Sequence, residues 1–205
     1  MPRLDSSWQK TAALLLWWTS MSLVFLSQGA SGQCVTPDRP RTPGDWPSSA
    51  ERWEQLRQEA TCWRLAVGVL TSSSIAQLRD SPDAWGQNGW GYSARAASHL
   101  GGTVVYLGTE HAVSALLQTR IRRYQPIKDG GFFHRAGHAL RAGVTVRARD
   151  GGRIPDVPQA SGVLVASLAR SQWERGRPRP GQAGIAVATT LGFEAVRHVL
   201  IEFLR

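Results

Sequence analysis

Lysine is almost missing from this 205-residue chain. It stands only at Lys10 and Lys128, so a formal charge of +9 is carried nearly all by arginine. Cysteine is scarce too. Cys34 and Cys62 are the whole supply, which excludes a thiolate metal cluster and a multiply cross-linked scaffold. After residue 26 no run reaches 18 uninterrupted apolar residues: 104–117 is broken by Glu110 and His111, while 161–169 and 183–193 are too short. That excludes an ordinary bundle of membrane-crossing helices, though not a protein lying against a membrane. The signatures of the common catalytic sites are absent as well. There is no G-x-S-x-G and no H-E-x-x-H. Gly86, Gly89 and Gly91 give G-x-x-G-x-G with no strand before it, which is not a phosphate loop. No cofactor is expected.

What is present begins with an export signal. Arg3 and Lys10 flank the start of an apolar run at 11–26, and the small residues of 27–32 follow. Ala30 and Gly32 fit a cleavage site that would start the mature chain at Gln33. The alternative is an uncleaved anchor at 11–26. Residues 33–47 carry four prolines and read as an exposed arm. Export exposes Cys34 and Cys62 to oxidising conditions, and a disulfide between them would be worth about 3 to 4 kcal/mol in chain entropy. Two unrelated thiols are the plainer alternative. Without the first 32 residues the charge is still +8. This favours an anionic membrane surface or another envelope component as partner. Nucleic acid is not expected, because export opposes it and no base-stacking motif is present.

Residues 48–205 read as one mainly α domain of about five to six helices, packed through glycine and other small residues. A capping box, Ser48 with Glu51, opens the first helix. Trp53, Leu56, Ala60, Trp63, Val67 and Leu70 then step by three and four, toward the core or toward a membrane surface. Residues 82–100 and 103–124 read as two helices broken at Gly101–Gly102, with a strand over 103–107 as the rival. Residues 132–147 form an amphipathic segment. Phe133, Ala136, Leu140 and Val144 make its apolar face, opposite His134, His138, Arg141 and Thr145. The alternation of 143–149 also allows a hairpin around Asp150–Gly152. A short helix over 160–173 and a last one over 182–205 complete the domain. Small residues recur every four positions from Gly89 to Gly101 and again at Gly184, Ala188 and Gly192, and predict that these two helices cross at close range.

Five short motifs stand in order: D-S-P-x-x-W-G-Q at 80–87, G-Y-x-x-R at 91–95, R-Y at 123–124, G-F-F-x-R-x-G-H-A at 131–139 and D-G-G-R-x-P at 150–155. With the closing pair Glu202–Phe203, this run resembles a family of exported bacterial proteins of acidobacterial type. The resemblance covers about residues 70 to 205. Many relatives have Asp-Pro before Arg-Tyr, where this chain has Ile121–Arg122. It implies export and a shared fold, and it transfers no activity.

The candidate ligand-binding residues are Arg95, Glu110, Arg123, Tyr124, Arg135 and Arg147. Arginines from several helices can converge on a carboxylate or phosphate. Glu110 beside His111 interrupts an apolar stretch. It is either an acid–base pair or a carboxylate held by an arginine such as Arg95 or Arg123. His134 and His138 are spaced to share a helix face and could hold a metal if a third ligand arrived, but Arg135 stands where a general base would be. The reading that results is a non-enzymatic envelope protein at the periplasmic or membrane surface. A binder of an anionic lipid or small molecule comes second, and a metal-dependent enzyme third.

Overall fold

The computed structural model describes residues 47–119, 124, 126–127 and 129–204. The signal segment, nearly all of the arm, Cys34 and Arg123 lie outside them. The described chain is mainly helical. It comprises α1 (Ser49–Ala60), α2 (Trp63–Leu78), α3 (Gly89–Leu116), α4 (Phe132–Val144), the strands β1 (Thr145–Arg147) and β2 (Arg153–Pro155), α5 (Val157–Arg175) and α6 (Pro180–Leu204). It divides into two compact units. Thr61–Ala97 belongs to the first, and the second contains α1 and everything from Ser98 on.

Local chemistry sets the element ends. The expected capping box forms: the Ser48 amide donates to Glu51 Oε2 at 2.8 Å, and the Glu51 amide to Ser48 Oγ at 3.3 Å. The helix then stops at Ala60, and Cys62, which is disulfide-bonded, is the residue before α2. A single-turn helix at Asp83–Trp85 follows. Helix α3 runs unbroken through Gly101–Gly102 and over 103–107. The rival strand is therefore absent, and so is the expected break. Asp156 caps α5 by accepting from the Gln159 amide at 3.2 Å, and Gly176, at φ +71°, ends it. The expected hairpin forms, with Val146 opposite Ile154.

Within the second unit α4 and α5 both pack along α6. Their contact surface is built from small side chains. The buried apolar residues among those described are Ala139, Ala142, Val146, Ala166, Ala183 and Ala195. The close crossing is not the expected one. A Cβ added at Gly184 or Gly192 would meet nothing within 4 Å, so the row on α6 is not a packing seam. Only the last member of the row on α3 is shown against α5: the Trp173 ring lies over Gly101, and beside it Trp173 Nε1 donates to Ser98 Oγ at 2.9 Å. The tight seam is at Gly143, where a Cβ would fall inside the backbone of Ala195. Gly143→Ala should therefore destabilise by about 1 to 3 kcal/mol, as overpacking does, while Gly192→Leu, at an exposed helix position with open space around it, should keep or raise the urea midpoint. Equal midpoints for the two would remove the seam.

Helix α4 also turns an unexpected face inward. Ala139, Ala142 and Gly143 are buried, whereas Phe133, Leu140 and Val144 remain 88%, 48% and 40% exposed. The tryptophans expected at the core behave alike: Trp53 and Trp63 are exposed. On α4 the large apolar side chains point outward because the Gly143–Ala195 seam brings its small-residue face against α6 and leaves no room for them.

Candidate functional site

Most of the short motifs of the second unit meet at one carboxylate. Glu202, on α6, has a fully buried side chain. It accepts from Tyr124 Oη at 2.5 Å, from the Ile127 amide at 3.2 Å and from Arg135 Nε at 2.8 Å. Arg135 Nη2 reaches the carbonyl of the same residue. Burial would push this carboxyl up, but these donors outweigh it and hold it below the usual range. Tyr124 lies flat on His198, with ring centroids 4.4 Å apart. Its hydroxyl is pushed above the ordinary phenol range, first by burial and then by Glu202.

The network continues to the hairpin. His138 Nδ1 is 3.5 Å from Tyr124 Oη, and His138 Nε2 is 3.4 Å from Arg153 Nη2. Arginine only donates, so Nε2 must accept and Nδ1 keeps the proton. Burial and the Arg153 charge lower the imidazole pKa, which agrees with a neutral ring. Polar groups thus run from Arg153 through His138 and Tyr124 to Glu202.

Tyr124 and His198 also border a cavity of about 250 Å³. Its walls carry Glu59 of α1, Tyr106 and Glu110 of α3, Asp156 before α5, and Glu194 and Arg197 of α6. Gly162 of α5 lets Tyr106 lie against it, since a Cβ there would touch the ring at 2.9 Å. Tyr106 is hydrogen-bonded to Glu110, one helical turn away. Burial pushes the Glu110 carboxyl up to about 7, with Glu59 and Asp156 adding to it against the Tyr106 hydrogen bond and His111. Burial and Glu110 in turn push the Tyr106 hydroxyl well up. Glu59 is engaged by His111 Nε2 at 2.9 Å, and Glu194 by Arg197 Nη2 at 2.6 Å. A carboxyl that changes charge near neutrality can give or take a proton. Among the described residues that line the cavity, the one serine hydroxyl is already engaged: Ser114 Oγ donates to the Thr119 carbonyl at 2.9 Å and accepts from Arg52 and Thr119.

The candidate residues are therefore dispersed. Arg95 spends its guanidinium inside the first unit, on the loop at 80–86. Arg135 belongs to Glu202 and Tyr124 to both networks, while Arg147 is exposed on β1. Arg123 lies outside the described residues. Glu110 is held by a tyrosine among carboxylates, not by an arginine. This correction takes the anion-binding reading away from Glu110, because the surrounding acids repel an anion. His134 is exposed and His138 sits between Tyr124 and Arg153. Among the described residues no three His, Cys, Asp or Glu side chains gather to hold a metal. Sequence reasoning missed Glu202 as the hub, along with Tyr106, Glu59, Asp156 and Glu194. The four-residue steps Tyr106 to Glu110 and Glu194 to His198 were the available signal. Family models, curated proteins and solved structures offer no match to this chain.

Proposed function

We propose that this is a non-enzymatic, exported envelope protein that works while lying on a membrane surface. The observation that carries the reading is the outward apolar stripe of α4. It is the most amphipathic of the described helices. It buries its small residues and shows Phe133, Leu140 and Val144 to the outside, with His134 and Arg141 exposed alongside. A basic helix with an exposed apolar stripe sits in the headgroup region of a bilayer. Phe132 packs on Phe203 and extends the apolar surface to the end of α6.

Helix α6 adds support. At 25 residues it is long and apolar enough to cross a membrane. Ile185, Val196, Leu200 and Leu204 are exposed along one stripe, while Ala183, Ala195, His198 and Glu202 are buried on the other. Its ionisable groups serve the Glu202 network and the cavity, so contact with lipid along the outer stripe fits better than a span surrounded by lipid.

Fractionation of cells expressing the full chain tests the reading. The recovered chain should begin at Gln33 and pellet with membranes at low salt. The double variant Phe133→Asp, Leu140→Asp should move to the soluble fraction with its helix content kept. An unprocessed chain would place attachment in residues 11–26, and a processed variant that stays in the pellet would place it away from the α4 stripe; either result would overturn the reading.

A further inference from the structure

The hairpin sets two arginines face to face. In the antiparallel register Arg147 is the direct partner of Arg153. Like charges placed opposite each other destabilise a strand pair. A third arginine, Arg141, follows His138 by three residues on α4, and His138 holds Arg153 at 3.4 Å. The charges are close enough to act on one another: after burial, Arg147 and Arg141 are what lower the Arg153 pKa.

The described residues supply no counter-charge. None of the three arginines has a carboxylate within ion-pair distance among the described residues. Asp150, in the adjoining turn, directs its carboxylate to the Gly152 amide at 2.9 Å. Glu202 is committed to Tyr124, Ile127 and Arg135. Guanidinium groups gathered without an acid are completed by an anion from outside, and phosphate suits their forked donors.

We propose that Arg141, Arg147 and Arg153, with His138 steadying Arg153, seat the phosphate of an anionic lipid headgroup. The proposal rests on the membrane reading above and names its contact. A lipid is favoured over a free phosphate because Arg141 adjoins the exposed stripe of Phe133, Leu140 and Val144, where acyl chains would lie. A soluble anion would have no use for that stripe.

The test uses the purified full chain with vesicles of phosphatidylcholine alone and with phosphatidylglycerol added. Arg147→Gln, Arg153→Gln should weaken binding to the anionic vesicles by about 10- to 30-fold and leave binding to phosphatidylcholine unchanged. It should melt no lower than the wild type, since a repulsive pair is removed. A control, Arg79→Gln, Arg177→Gln, takes the same charge from exposed positions outside the hairpin and should change binding less than about threefold. Equal losses for the two pairs would overturn the headgroup seat and leave the membrane reading standing. A wild type that ignores both vesicles would overturn both. Stabilisation by glycerol phosphate without vesicle binding would reassign the arginines to a soluble phosphate and overturn the lipid proposal.

Discussion

Replacing Arg95 by methionine is expected to destabilise the first unit by about 3 to 5 kcal/mol, the cost of breaking a buried charged network from one side. The side chain is 1% exposed. Its Nε donates to the Ser81 carbonyl at 3.0 Å. Nη1 reaches Gln77 Oε1 and the Gly86 carbonyl, and Nη2 reaches Asp80 Oδ1 and the Pro82 carbonyl. One guanidinium thus holds both ends of the loop between α2 and α3. Most of the effect does not come from the ion pair. Asp80 is 46% exposed, and a pair so open to water is worth less than about 1 kcal/mol. The carbonyls matter more, because each loses a charged donor in a place where water does not easily replace it. Asp80→Asn should therefore cost about 1 kcal/mol or less, while Arg95→Lys should recover little of the loss, because a lysine has three donors and no fork. Urea unfolding of the three variants separates these cases. An Arg95→Met midpoint equal to that of Asp80→Asn would show that the carbonyls contribute nothing.

The same residues show what could be read in the chain and what could not. The motifs at 80–87 and 91–95 are explained together: Arg95 binds the carbonyls of the first, and Gly91 is needed because a Cβ there would strike the Trp85 and Gly86 carbonyls. Their shared purpose is structural, and their spacing was visible. Local rules also worked at Ser48 and Glu51, and for the helix over 103–107. The mainly α architecture followed from periodicity, but the close-packed seam did not: the row at Gly184 and Gly192 meets nothing, and the contact lies at Gly143. Periodicity finds an apolar stripe, however, and does not say whether protein covers it. On α4 the seam through Gly143 and Ala195 decided which face turned inward, and that depends on a partner more than 50 residues away. The cavity was hidden for the same reason. Glu59, Glu110, Asp156 and Glu194 come from separate elements, and no local spacing joins them. Arginine was the expected partner of Glu110 because it is the abundant cation here. The fold instead put a tyrosine one turn away and carboxylates around it.

Glu110→Gln is expected to stabilise the protein above neutral pH and to change little near pH 4. Burial, aided by Glu59 and Asp156, raises the folded carboxyl from its ordinary 4.5 to about 7. The folded state therefore holds this proton more tightly than the unfolded chain does. The stability that Glu110 contributes is fully present below about pH 4.5 and is lost as the pH rises toward and through 7. The gap between the two values corresponds to about 3 kcal/mol, with little discount because the group is mostly buried. Glutamine is neutral at every pH and can still accept from the Tyr106 hydroxyl, so it avoids the charged buried state while keeping the contact. Wild-type stability should fall between pH 5 and pH 8.5, and that of the variant should fall about 3 kcal/mol less. Parallel curves from urea unfolding at both values would show that Glu110 titrates like an ordinary surface acid. Diverging curves would establish that the cavity keeps this carboxyl neutral well above its ordinary range and that it gains charge as the pH rises through about 7. The cavity would then offer a cationic or hydrogen-bonding guest a proton-dependent contact, beside a surface whose exposed arginines favour the opposite charge.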